Sequence, residues 1–151
     1  MIVFADTSGL FALLARDDHM HVRARLNFLY FSSHDVRLLS SSYVLLETIA
    51  LLHRRIGLDA VADFQAKIVP LLEIVWVDAE WHNRALQRLF TLGRKDVSLV
   101  DCLSFEVMET KSLQTVFAFD KHFEESGFSL AAFHDLDARR SSQPRDSGKP
   151  R

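Results

Sequence analysis

Short apolar runs alternate with stretches of helical periodicity along most of the chain. Ile2–Ala5 is apolar throughout and has the length of a buried strand. Helical spacing follows over Thr7–Ala15 and His19–Ser32, and in the second segment Val22, Leu26 and Leu29 fall on one face. Arg37–Ser40 is expected as a short strand. Ser42–Arg55 is expected as a helix, with His53, Arg54 and Arg55 in its last turn and Gly57 placed to end it. A further helix is expected over Leu58–Val69, stopping near Pro70, and then a strand over Leu72–Val77. The pattern continues with a helix over Ala79–Leu92 closed by Gly93, a helix over Ser98–Thr110, and a strand over Thr115–Phe119. It ends with a helical turn over Lys121–Ser126 and an edge strand over Phe128–Phe133.

Strands that alternate with helices in this way predict an α/β fold with a central parallel sheet covered by helices on both faces. In such sheets ligands bind beyond the carboxyl ends of the strands. Acidic residues interrupt the apolar pattern where they can reach that edge. Asp6 directly follows the first strand, and Asp120 follows the run Thr115–Phe119. Glu47 is the only charge in Ser42–Leu52, and Asp101 interrupts Val97–Phe105. A buried carboxylate must be compensated or must take up a proton. Four in one small chain point to a shared remedy, and a divalent cation is the simplest.

Each acid also has a local explanation. Asp6 and Asp120 suit the N-terminal caps of the segments that follow them. Ser98 and Asp101 have the spacing of a capping box. Glu47 lies past the capping positions of its helix, so capping accounts for it least. Asp96 stands in a loop after Gly93-Arg94-Lys95 and is expected to support the site or to be an ordinary surface charge.

Composition narrows the classes further. The chain has 151 residues, enough for one domain with a substantial core, and 48% hydrophobic with 25% charged residues is ordinary for a globular protein. No apolar stretch approaches the ~20 residues that span a bilayer, so no membrane association is expected. The single cysteine, Cys102, excludes an intrachain disulfide, suits a reducing cytoplasm, and has the apolar neighbours of a core thiol. Net charge is −2, unevenly spread. Residues 139–151 hold five basic groups and one acid, which leaves residues 1–138 at −6. A folded domain is therefore expected over 1–138, and 139–151 is expected to be a disordered basic tail.

Other chemistries find little support. No zinc-ligand spacing of Cys and His occurs, and neither a P-loop nor Gly-x-Gly-x-x-Gly is present. Thr7, Ser8 and Ser98 lack the Gly-x-Ser-x-Gly elbow of a serine nucleophile. The 12 phenylalanines fall at core-like spacings. A phosphate-accepting receiver-like domain would need a partner lysine at a strand end, and none is evident.

Four stretches carry a resemblance to a known family: Val3-Phe4-Ala5-Asp6-Thr7-Ser8-Gly9-Leu10, Ser42-Tyr43-Val44-Leu45-Leu46-Glu47-Thr48, Asp96–Phe105, and Val116-Phe117-Ala118-Phe119-Asp120-Lys121-His122-Phe123. In this order and at these separations the chain resembles PIN-domain ribonucleases, of the kind found as VapC-like toxins of toxin–antitoxin pairs. The resemblance covers roughly residues 1–135. It implies a three-layer α/β/α fold and a site in which Asp6, Glu47, Asp101 and Asp120 bind Mg²⁺ or Mn²⁺ and hydrolyse RNA phosphodiesters. Thr7 or Ser8 would lend a hydroxyl, with Asp96 as a possible supporting residue. Two departures stand out: Ala118 occupies a place where the family often has a hydroxyl, and the basic tail runs past the usual end. The resemblance further implies a homodimer and a small antitoxin partner. Phe28, Phe31, Leu51 and Leu52 are candidates for its groove, and Arg54, Arg55, Arg94, Lys95 and Lys121 for phosphate contacts. A PIN-like binding or scaffold module, with the acids kept for folding, is the alternative; metal-dependent RNA cleavage separates the two.

Overall fold

The computed structural model describes residues 1–133. The domain boundary expected at 138 and the basic tail lie outside the described residues. Five strands form one parallel sheet: β1 (Ile2–Ala5), β2 (Arg37–Ser41), β3 (Leu72–Val75), β4 (Thr115–Phe117) and β5 (Ser129–Leu130). Their order is β3-β2-β1-β4-β5. Seven α-helices flank the sheet among the described residues: α1 (Thr7–Leu14), α2 (His21–Ser33), α3 (Ser42–Arg55), α4 (Leu58–Asp63), α5 (Ala79–Leu92), α6 (Leu99–Thr110) and α7 (His122–Glu125). The result is the expected three-layer α/β/α architecture. Among the described residues no helix is long and apolar enough to cross a membrane.

The strand order fixes where a site can form. From β1 the chain steps outward to β2 and β3, then returns to lay β4 on the other side of β1. The carboxyl ends of β1 and β4 therefore flank the point where the winding reverses, and such a point leaves a crevice between diverging connections. Val3, Phe4 and Ala5 are fully buried, as are Val116 and Phe117, so this central pair is anchored in the core. α1 is held close to β4 by Gly9: a Cβ there would lie 2.4 Å from the Phe117 carbonyl oxygen.

Three expectations need correction in detail. β4 stops at Phe117 and not at Phe119, because the Phe119 N–H leaves the ladder and donates to Ser8 Oγ at 2.9 Å. The segment after Gly57 is not one regular helix: α4 widens into a π-turn over Phe64–Ile68 and tightens into a 3₁₀ turn at Val69–Leu71. On α2, Val22, Leu26 and Leu29 do share a face, but it faces solvent, and Ala24, Asn27 and Phe31 point inward. Of the four groove candidates, Phe31 and Leu52 are core residues, while Phe28 and Leu51 are part-exposed.

Candidate metal centre

Asp6 is the first residue beyond β1 and the N-cap of α1. Its Oδ2 accepts from the Ser8 N–H at 3.1 Å and from Ser8 Oγ at 2.9 Å. Ser8 thus ties Asp6 on one side to the Phe119 backbone on the other. Asp6 is 4% exposed, and burial pushes its carboxyl up from 3.8 to about 7, against the hydrogen bonds from Ser8. The charges of Asp101 and Glu47 push it the same way. Capping alone accounts for the hydrogen bonds of Asp6 but not for burying its carboxyl beside two other acids.

Glu47 reaches the same place from α3. Burial raises its carboxyl above the ordinary range, a hydrogen bond from Thr7 opposes the rise, and the charges of Asp101 and Asp120 add to it. Thr7 also accepts from Thr48 Oγ1 at 3.2 Å, which fixes α3 against the start of α1. Asp101 sits in the first turn of α6 and completes the capping box with Ser98. Its Oδ2 accepts from the Ser98 N–H, and its own N–H donates to Ser98 Oγ, both at 3.1 Å. Burial nevertheless raises the Asp101 carboxyl, and Asp120 adds to the shift. The capping explanation is therefore correct but incomplete.

Asp120 lies beyond β4, and its Oδ1 accepts from the His122 N–H at 2.9 Å. Asp6, Glu47, Asp101 and Asp120 thus come from four different elements and act on one another's charge. Among the described residues, the tightest set of metal-capable atoms is Asp101, Asp120 and His122, mutually within 4.8 Å. Asp6 and Glu47 lie outside that set, but Asp6 feels the charge of Asp101, and Glu47 feels those of Asp101 and Asp120.

His122 was not singled out in the sequence. Its Nδ1 lies 2.8 Å from Asp120 Oδ1 and 3.8 Å from Asp101 Oδ2. Neither approach has hydrogen-bond geometry, and this buried nitrogen has no hydrogen-bond partner. The Asp-x-His spacing at the end of a strand was the only available signal, and in a turn that spacing is uninformative. Burial disfavours the imidazolium, but the carboxylates of Asp120, Asp96 and Asp101 outweigh it and raise the His122 pKa.

Asp96 is exposed and lies beside the cluster. Its carboxylate takes two bonds from Arg94, at 3.0 and 2.6 Å, and lies 3.3 Å from His122 Nε2. Arg94 holds the Asp96 carboxyl well below the usual range and also bonds Glu125 at 3.0 Å. Arg94 is therefore engaged and is a poor phosphate contact. Arg54, Arg55, Lys95 and Lys121 are exposed, with Arg55 resting over the Phe11 ring. Cys102 is fully buried, and burial raises its thiol, as expected of a core cysteine.

The donor set fits a divalent cation. Three desolvated carboxyls with raised pKa values act on one another, and the buried His122 Nδ1 beside them lies close to carboxylate oxygens without making a hydrogen bond. A cation would relieve both conditions at once. Carboxylate oxygens select hard ions such as Mg²⁺ and Mn²⁺.

The PIN domain model matches residues 3–128. The chain is 34% identical over 128 residues to the 23S rRNA-specific endonuclease VapC20 of Mycobacterium tuberculosis, covering 84% of this chain and 95% of that protein. The crystal structure of VapC20, described as a toxin that cleaves the sarcin–ricin loop, superposes with a TM-score of 0.69 at 32% identity, covering 85% of this chain and 96% of that one. VapBC2 from Rickettsia felis, solved bound to a fragment of its promoter DNA, shares the fold, with a TM-score of 0.61, 15% identity, and coverage of 87% and 98%.

Proposed function

The chain belongs to the PIN-domain family, and we propose that within it this protein is a divalent-metal-dependent endoribonuclease, the toxin of a toxin–antitoxin pair. The observation that carries the proposal is the convergence of Asp6, Glu47, Asp101 and Asp120 near the point where the sheet's winding reverses, with no Arg or Lys paired to them among the described residues and His122 as the one basic group beside them. Their carboxylates would hold Mg²⁺ or Mn²⁺. When bound, such an ion supplies the positive charge that favours attack of water on a phosphodiester and stabilises the departing oxygen.

The chain's own residues supply the rest. Ser8 and Ser98 orient Asp6 and Asp101 through backbone and hydroxyl bonds, so both acids are positioned before metal or RNA arrives. Asp6, raised to about 7, is part-protonated at neutral pH in the metal-free protein and gives up that proton when a cation binds. Exposed Lys95, Lys121 and Arg54 are the cations left to meet flanking phosphates. Ribosomal RNA is the substrate class to test first, because a relative 34% identical over most of the chain is named for it.

The partner in this reading is a small antitoxin that places an Arg or Lys among the acids, favoured by the −6 carried by residues 1–138. A homodimer is also expected, with the solvent-facing Val22, Leu26 and Leu29 stripe as a candidate surface. The cytoplasm is the compartment that this reading requires. Expression in growing cells tests the role. Growth arrest with ribosomal RNA cut at a defined position, relieved by the product of the neighbouring antitoxin gene, is expected. Unimpeded growth with intact RNA would leave the scaffold alternative.

A further inference from the structure

We infer that His122 is a ligand of this metal through Nδ1, set in place by Asp96, and that the resulting nitrogen donor tips the centre toward Mn²⁺ over Mg²⁺. The inference rests on the metal-centre reading above.

Three observations lead to it. The first is the state of the Nδ1 atom. It is buried in a side chain only 13% exposed, and it has no hydrogen-bond partner. A buried polar atom without a partner is costly unless something absent from the protein satisfies it.

The second is placement. Nδ1 stands 2.8 Å from Asp120 Oδ1 and 3.8 Å from Asp101 Oδ2. Adjacent donors on an octahedral ion with bonds of about 2.1 Å are about 3 Å apart. The two separations bracket that value, and the three donor atoms all lie within 4.8 Å of one another.

The third is orientation. The other ring nitrogen, Nε2, lies 3.3 Å from Asp96 Oδ2. Asp96 is fixed by the two-bond contact with Arg94, and Arg94 is braced in turn by Glu125. Held by Arg94 on one side, the Asp96 carboxylate is placed to accept the Nε2–H on the other. That tautomer leaves the Nδ1 lone pair facing Asp101 and Asp120. A carboxylate behind an imidazole is the usual way a protein turns a histidine toward a metal. Asp96 thereby acquires a role as a positioning residue. Imidazole suits transition ions, whereas Mg²⁺ takes oxygen donors and keeps much of its water.

The test is pulsed electron paramagnetic resonance of Mn²⁺ added alone to the full-length, metal-stripped protein, with Mn²⁺ and Mg²⁺ affinities measured beside it. Nitrogen hyperfine coupling is expected on bound Mn²⁺ in the unaltered protein. It should vanish in His122→Gln, with Mn²⁺ affinity falling at least tenfold and Mg²⁺ affinity falling less. Asp96→Asn should keep the coupling but weaken Mn²⁺ binding. Bound Mn²⁺ without nitrogen coupling in the unaltered protein overturns the inference and leaves an all-oxygen centre standing. Coupling that survives His122→Gln overturns it as well. Mn²⁺ binding that is absent, or unaffected by Asp101→Asn, overturns the metal centre itself.

Discussion

Asp6 shows how one residue serves fold and site together. In the folded, metal-free protein its carboxyl is pushed up from 3.8 to about 7. The folded state therefore holds a proton that the unfolded chain has released between about pH 4 and pH 7. Stability of the metal-free protein falls as pH rises through that window and levels off above it. Asparagine keeps a cap acceptor for the Ser8 N–H but carries no charge. We predict that Asp6→Asn, in EDTA, melts several degrees above the unaltered protein at pH 8, with the difference closing toward pH 4. A pH-independent difference, or a lower melting point at pH 8, would contradict this account of the site's electrostatics. Gly9 makes a second case. A Cβ would sit 2.4 Å from the Phe117 oxygen and 2.9 Å from its carbonyl carbon, and both are backbone atoms that cannot turn aside. Gly9→Ala should cost about 1–3 kcal/mol in denaturant unfolding, by prising α1 from β4. The candidate acids Asp6, Glu47, Asp101 and Asp120 stood out in the sequence because each ends or interrupts an apolar run. His122 was not, since it follows a polar Lys121 and its neighbours Asp96 and Asp101 reach it only through the fold.

At the scale of elements, the sequence located nearly every strand and helix but not which face of a helix is inward. Periodicity finds a stripe and is blind to where the sheet lies. α2 carries small or polar inward residues, Ala24 and Asn27, beside Phe31, while its more hydrophobic stripe faces water. Leu29→Gln should change stability by no more than about 0.5 kcal/mol, whereas Phe31→Ala should cost about 3–5 kcal/mol. Equal losses in thermal or urea melts would mean that the stripe packs inward. Strand ends were overestimated for a related reason. Phe119 continues the apolar run past β4, but Ser8 Oγ takes its N–H, and a hydroxyl from another element leaves no trace in the local pattern. The capping box of α6 was legible from Ser98 and Asp101 alone, and it carries a further prediction. Ser98→Ala should cost about 1 kcal/mol and also weaken metal binding, because the turn that carries Asp101 loses the hydroxyl that holds the Asp101 N–H, although the Ser98 N–H still meets the carboxylate. Calorimetric titration with Mn²⁺ would register the second effect. Unchanged affinity would confine Ser98 to capping.

For the molecule as a whole, the sheet order matters more than any single residue. Because β4 returns beside β1, acids placed more than a hundred residues apart in sequence, Asp6 and Asp120, come to the ends of neighbouring strands. The cost of gathering Asp6, Glu47 and Asp101 there without metal is visible in their raised carboxyls, and a bound cation should reverse it. A stabilising ligand at about a hundred times its dissociation constant adds ~2.7 kcal/mol. If Asp6, Glu47, Asp101 and Asp120 hold a cation that RNA cleavage requires, the sharpest test is cleavage of purified ribosomal RNA by the purified protein. Discrete fragments are predicted with Mn²⁺ or Mg²⁺, none with EDTA, and none from Asp101→Asn protein whose circular dichroism matches the unaltered chain. The same fragments in EDTA, or from that folded variant, would contradict the account.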